Sequence, residues 1–211
     1  MWSQTPAFFV LVLLLGIWIA VARETRVAVH GYLFQTSVVA LLYFFGALET
    51  KDLMVWVDLF GLVILRIGVI PWLLYRLLQG DLYTARRTEE VLASSYSLAL
   101  YAVLAAIGLG VGKNLQSGTM GIDFGIALSV LLIGLATVAI AHHAPKQVIG
   151  ILSVDNGIDL AVVLTLTRFT VVTEYAVFVD VALAVLCLSL MVLRLSTYGQ
   201  PHTHHFNELR G

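Results

Sequence analysis

FGIALSVLLIGLATVAIAH, residues 124–142, is a run of nineteen residues without an Asp, Glu, Lys or Arg. A helix of this length, rising 1.5 Å per residue, crosses most of a hydrocarbon core about 30 Å thick. The same template fits six further segments, at residues 7–22, 32–48, 53–78, 92–112, 147–167 and 174–195. The pattern predicts an all-α integral membrane bundle of about seven transmembrane helices.

Composition supports this class, because 60% hydrophobic residues, 12% charged residues and a mean hydropathy of +0.94 do not suit a soluble domain. The lipid bilayer is therefore the expected surroundings. A formal net charge of -1 without a basic tract excludes a nucleic-acid partner. Cys187 is the only cysteine, which excludes an intrachain disulfide, a Cys-rich zinc site and an iron–sulfur cluster bound by this chain alone.

The basic residues between the segments predict the orientation, because cytoplasmic loops carry an excess of Lys and Arg. One side holds Arg23, Arg26, Arg76, Arg86, Arg87, Lys146, Arg194 and Arg210, and the other holds only Lys51, Lys113 and Arg168. We therefore predict an N-terminus outside and a cytoplasmic C-terminus. Because neither Lys nor Arg precedes residues 7–22, we expect that run to be a retained helix rather than a cleaved signal.

Five charged residues fall inside the predicted spans, at Asp58, Arg66, Asp155, Asp159 and Asp180. Each costs about 2.5–3.5 kcal/mol at membrane depth, so such residues usually serve transport or pair within a bundle. Helical rise places all of them except Asp58 at neighbouring levels, deep in the membrane. Asp58 lies near the outer end of its span, where we expect a solvated interfacial residue.

Asp155 and Asp159 share one helix face because they are four residues apart, and two carboxylates so close cannot both ionise cheaply in a low dielectric. Such a coupled pair near a movable cation suits a proton relay. Asn156 adds a polar amide, and Gly150 and Gly157 allow a close helix approach.

Arg66 is the expected counter-ion, provided that the third predicted helix packs beside the sixth. Pro71 removes a helical hydrogen bond and is predicted to free the carbonyl of Ile67, next to Arg66. The alternative to a relay is a static ion pair that fixes helix register.

Several cofactor classes are excluded by the residues that are missing. Residues 174–195 contain no lysine for a retinal Schiff base, and the histidines lie at helix ends or in the tail, where they cannot ligate an intramembrane haem. We therefore predict no cofactor in this chain and no dedicated metal site in the tail. Glu174 begins the last predicted helix, where an anion is favoured by the helix dipole.

QVIGILSVDNGIDLA (147–161), EYAVFVDVALAVLCLSLMVLRL (174–195) and the terminal NELRG (207–211) resemble the hydrogenase-4 component E family. Its members are membrane subunits of formate hydrogenlyase-type and other complex-I-like hydrogenases, and their C-terminal part is similar to the K subunit of respiratory complex I. The resemblance is best over 146–211 and weaker before it, where it includes Gln35 and Arg66, the latter in place of the expected Lys. It implies a five-helix N-terminal membrane region at 1–145 and K-subunit-like helices with a short cytoplasmic tail at 146–211.

The resemblance also implies roles for particular residues. Asp155, Asn156 and Gly157 match the family's Glu-Asn-Gly motif, whose Glu is taken as a proton-channel carboxylate. Asp is one methylene shorter, so a proton transfer could need an extra water. Asp180 matches the carboxylate of the last helix, and Glu174 matches the acidic residue at its start.

The function implied by the resemblance is that of a non-catalytic membrane-arm subunit, multi-pass in the inner membrane of a prokaryotic cell. Its expected partners are antiporter-like and complex-I-like membrane subunits and a peripheral redox arm, and its role is to couple electron transfer to proton or sodium movement. The predicted pathway residues are Asp155, Asp159, Asp180, Arg66, Asn156 and Glu174. Two alternatives stay open, namely a small stand-alone ion transporter and a structural scaffold subunit.

Overall fold

The computed structural model describes residues 5–51, 53–78, 94–115, 118–141 and 144–165, and almost all of these are helical. The elements are α1 (Thr5–Val21), α2 (Thr25–Thr50), α3 (Leu53–Gly61), a π-helical segment (Leu62–Val69), α4 (Ile70–Leu78), α5 (Ser94–Leu115), α6 (Thr119–Ile140) and α7 (Ala144–Thr165). Because α3, the π segment and α4 follow without a break, the described residues form six helical rods. The predicted span at 174–195, with Glu174 and Asp180, lies outside them.

Five of these rods are long and apolar enough to cross a membrane. They are α2, the Val55–Trp72 part of the α3–π–α4 rod, α5, α6 and α7, while α1 contains a shorter apolar helix, Pro6–Val21. The helical membrane class predicted from the sequence is therefore confirmed, and the count of seven spans stays a prediction.

Two helices begin five or more residues earlier than hydropathy predicted. α2 begins at Thr25 rather than at residue 32, and its first turns are buried at Thr25, Ala28 and Val29 although Arg26 lowers their mean hydropathy. α6 begins at Thr119 rather than at residue 124. Neighbouring helices thus cover more of these segments than their apolar content indicates.

The end of α2 is a left-handed cap. Lys51 has a φ of 53°, and its N–H donates to the carbonyl of Ala47 at 3.0 Å. A residue in this conformation closes the helix and turns the chain toward α3, a position that glycine usually occupies.

α7 is the central helix, because 72% of an 18-residue apolar stretch of it is buried. α5 is peripheral, with 22% of such a stretch buried. Glycines bring α7 close to α6: a Cβ on Gly134 would lie 2.7 Å from the N of Val154, and one on Gly157 would lie 2.8 Å from the N of Leu131. Such contacts leave no space for a side chain, so the two backbones touch as small residues permit in membrane bundles. This packing presents the face of α7 that carries its acidic residues to α2.

One end of the bundle is defined by contacts between helix ends. The buried Lys146 in α7 donates from Nζ to the carbonyl of Ala22, just after α1, at 2.8 Å. His30 in α2 and Tyr75 in α4 form a 2.9 Å hydrogen bond. The sequence placed Lys146 among the loop charges, whereas the structure buries it. Its ammonium group is satisfied there by a carbonyl that the end of α1 leaves without a helical donor.

Candidate functional site

A buried group of polar residues, here called the Arg66 cluster, lies between the π segment, α2 and α7. Each of its members exposes 6% or less of its surface, and they are Gln35, Thr36, Tyr43, Arg66, Asp155, Asn156 and Asp159. Charges buried in this way are costly unless they are paired and hydrogen-bonded. The cluster is therefore the part of the described structure in which polar side chains are most concentrated and best enclosed.

Arg66 is the cation of the cluster, and it is shared by two carboxylates. Its Nη2 forms an ion pair with Oδ2 of Asp155, and its Nη1 pairs with Oδ2 of Asp159. The π segment packs on α2, and the long side chain of Arg66 spans the remaining gap to α7. A planar guanidinium suits this arrangement because it offers several donors in one fork. With both carboxylates ionised, the three groups carry one excess negative charge.

Asn156 connects these charges to α2. Its Oδ1 accepts a hydrogen bond from Nη1 of Arg66 at 3.3 Å, and its Nδ2 lies 3.0 Å from both Oε1 of Gln35 and Oγ1 of Thr36. Gln35 in turn donates from Nε2 to the backbone carbonyl of Val12 in α1, at 3.1 Å. The amide therefore joins three helices to the ion pairs through a continuous set of hydrogen bonds.

Two tyrosines of α2 complete the surroundings. Tyr43 donates to Oδ1 of Asp159 at 3.4 Å, and Tyr32 donates to the backbone carbonyl of Arg66 at 3.2 Å. Sequence reasoning did not identify these tyrosines or Thr36. The available signal was their spacing, because residues 32, 35, 36 and 43 recur at helical intervals on one face of an otherwise apolar helix.

Two further acidic residues, Asp58 and Asp123, lie outside the Arg66 cluster. Asp58 is half-buried and its Oδ2 is shielded from solvent, and its assignment as a solvated interfacial residue stays a prediction. Asp123 is buried near the start of α6, and within the described residues its Oδ1 has no hydrogen-bond partner. It was missed because the sequence placed residue 123 before the fifth span.

The chemistry open to the cluster follows from its groups. Among the described residues, no three His, Cys, Asp or Glu side chains are grouped so that they could hold a metal ion. The inward carboxylate oxygens face the guanidinium of Arg66. The net charge of the cluster can therefore change by proton uptake on Asp155 or Asp159, or by movement of Arg66 away from them. These are the elementary steps of a relay, and a rigid version of the same contacts is a static lock.

The chain is similar to a Mycobacterium tuberculosis protein named uncharacterized protein Rv0085, with 25% identity over 192 residues. The match covers 89% of this chain and 87% of that protein. No family model and no solved structure matches the chain. The similarity runs over most of both chains, and the relative's name states no activity that could be compared with the cluster.

Proposed function

We propose that this protein is a membrane-arm subunit of a complex-I-like oxidoreductase complex, of the group 4 hydrogenase or formate hydrogenlyase type. In this role it catalyses no redox step, and its intramembrane carboxylates take part in proton or sodium translocation driven by electron transfer in other subunits. The proposal includes seven spans, an outside N-terminus, a cytoplasmic C-terminus and the inner membrane of a prokaryotic cell. It rests on the resemblance to the hydrogenase-4 component E family.

The observation that carries the proposal is the meeting of those residues of the resemblance that the structure describes. Gln35, Arg66 and the Asp155–Asn156–Gly157 motif are far apart in sequence, yet the first four of these residues share one hydrogen-bonded cluster. Gly157 lies against α6 and sets the position of the same turn of α7. The described positions of the resemblance therefore lie at or beside one buried site.

The site's charge supports a role in coupling. Two carboxylates share one cation, so binding of one proton brings the three groups to neutrality, and loss of the proton restores a net negative charge. Asp155 is the residue we assign to proton exchange through the motif, and Arg66 is the cation that responds to its charge. Asp159, for which the family suggests no counterpart, shares Arg66 and is held by Tyr43.

The test uses the intact complex, isolated through a tag on this chain and returned to sealed vesicles. Asp155→Asn keeps the size of the side chain and removes its ability to ionise, so ion uptake should be lost while electron transfer to an artificial acceptor continues or slows. Asp123→Asn is the matched control, since Asp123 is a buried acidic residue outside the cluster. Normal ion uptake by the Asp155→Asn complex contradicts the proposal, as does isolation of the chain alone as a self-sufficient ion transporter.

A structural scaffold is the second candidate, and the closed pairing favours it. Arg66 is held by two carboxylates and Asn156 at once, an arrangement that fixes the register of the rods. If the cluster acts only as a lock, replacing Arg66, Asp155 and Asp159 together by apolar residues should preserve coupling. If it acts as a relay, the triple replacement should assemble and fail to move ions.

A further inference from the structure

The π segment that carries Arg66 ends where its hydrogen-bond pattern meets a proline. In a π-helix each carbonyl accepts from the N–H five residues later, and the last such bond here runs from the N–H of Ile70 to the carbonyl of Leu65. The next carbonyl is that of Arg66, and its donor would be the N–H of residue 71. Pro71 has none. The π pattern therefore leaves the carbonyl of Arg66 without a backbone donor from that position.

Tyr32 supplies the missing donor. Its hydroxyl donates to the carbonyl of Arg66 at 3.2 Å, and Tyr32 is fully buried, as is Arg66 apart from 2% of its surface. A buried carbonyl without a partner costs free energy comparable to a lost hydrogen bond, so this contact has a specific structural value. The prediction from sequence alone, in which Pro71 frees the carbonyl of Ile67, assumed an α-helix, whereas in the π pattern the carbonyl that faces Pro71 is that of Arg66.

The two helical patterns differ in which carbonyl lacks a donor. In an α pattern the N–H of Ile70 would satisfy Arg66, and the carbonyl of Ile67 would face Pro71. In the π pattern the carbonyl of Arg66 faces Pro71, and Tyr32 is in place to satisfy it. The Tyr32 hydroxyl thus favours the π pattern. Because a change of pattern rotates one part of the rod relative to the other, it also changes where Arg66 points.

We propose that Tyr32 is a positioning residue for Arg66. The Tyr32 hydroxyl and Pro71 together maintain the π segment, and this segment directs the guanidinium onto Asp155 and Asp159. The aiming of Arg66 in this way does not depend on whether the cluster moves ions. The role of Tyr32 requires no contact with the Arg66 side chain, because its hydroxyl acts through the backbone carbonyl of Arg66.

The test is a double-mutant cycle on the full chain in detergent, with Tyr32→Phe and Pro71→Ala. Tyr32→Phe should lower the thermal midpoint by roughly 2–10 °C when residue 71 is proline, since a buried carbonyl loses its donor. In the Pro71→Ala background the backbone N–H of residue 71 can replace the Tyr32 hydroxyl as the donor. Tyr32→Phe should then shift the thermal midpoint by about 1 °C or less. Tyr43→Phe, on the same helix, is the control, and its effect should not depend on residue 71.

A distance measurement separates aiming from general stability. Spin labels at Ile64→Cys in the π segment and Leu135→Cys in α6, with Cys187→Ser, should show one distance in the parent and an additional distance after Tyr32→Phe. Pro71→Ala should also show the additional distance, with or without Tyr32→Phe, because an N–H at residue 71 satisfies the carbonyl of Arg66 in the π pattern and that of Ile67 in the α pattern. The same N–H should restore folding if Tyr32→Phe alone does not fold. Additive midpoint shifts, an unchanged distance in Tyr32→Phe, or a double variant that stays unfolded would each overturn the proposal.

Discussion

Replacing Arg66 by Met tests how much of the bundle's stability depends on the central cation. Methionine has a similar length and no charge, so the change leaves the rod's shape while removing the shared partner of Asp155 and Asp159. Both carboxylates are more than nine-tenths buried and cannot turn to solvent without opening the bundle. The expected outcome is therefore a large loss of stability.

The magnitude follows from the burial of the pair. Breaking a buried ion pair by removing one partner costs about 3–5 kcal/mol. For a chain of this size each kcal/mol lowers Tm by about 2–4 °C, so Arg66→Met should lower Tm by roughly 6–20 °C. Lys113→Met is the matched control, because Lys113 is exposed near the end of α5 and should change the free energy of unfolding by about 0.5 kcal/mol or less.

The assay is thermal unfolding of the full chain in detergent, followed by far-ultraviolet circular dichroism. A compensated triple variant, with Arg66→Met, Asp155→Leu and Asp159→Leu, should unfold within a few degrees of the parent, because no uncompensated charge stays buried. A Tm for Arg66→Met within about 2 °C of the parent would refute the reasoning, since it would mean that the two carboxylates do not depend on Arg66.

Two further changes test the packing and the helix end that position the site. Gly157→Ala places a Cβ against the backbone of α6 and should cost about 1–3 kcal/mol in unfolding experiments. Gly110→Ala should be neutral or stabilising, because its Cβ would meet no neighbouring atom of the described residues within 4 Å. Equal effects of the two changes would contradict the close α6–α7 contact. Lys51→Gly relieves a left-handed residue and should raise Tm by roughly 2–4 °C, with Lys51→Ala giving no gain; a similar Tm for all three would show that the cap is not strained.

The candidate site was only partly accessible to sequence reasoning. Asp155 and Asp159 could be placed on one face because helical spacing is a local property, and Arg66 could be placed at a similar depth by counting residues. The hydrogen bonds from Thr36 and Tyr43 could not be derived in this way. They join α2 to α7 across 120 and 116 residues of sequence, so they depend on which faces the two helices present to each other.

The same limit applies to the carbonyl beside Pro71. The sequence identifies a proline that removes one donor, but it does not state whether the preceding turn is α or π, and this choice decides which carbonyl is affected. Lys146 is a similar case, since a charge at the start of a span looks solvated in sequence and becomes buried only because the end of α1 lies against it.

By itself, the sequence determined that this protein is a helical membrane protein, because runs of apolar residues about as long as a bilayer is thick must satisfy their backbone polar groups within helices. It also placed Arg66, Asp155 and Asp159 within those helices. Only the tertiary structure decided that one arginine serves two carboxylates, that α2 supplies the polar face opposite them, and that Tyr32 meets a carbonyl of the π segment. The physical reason is that hydropathy and helical period act over neighbouring residues, whereas pairing of buried groups depends on the packing of helices distant in sequence.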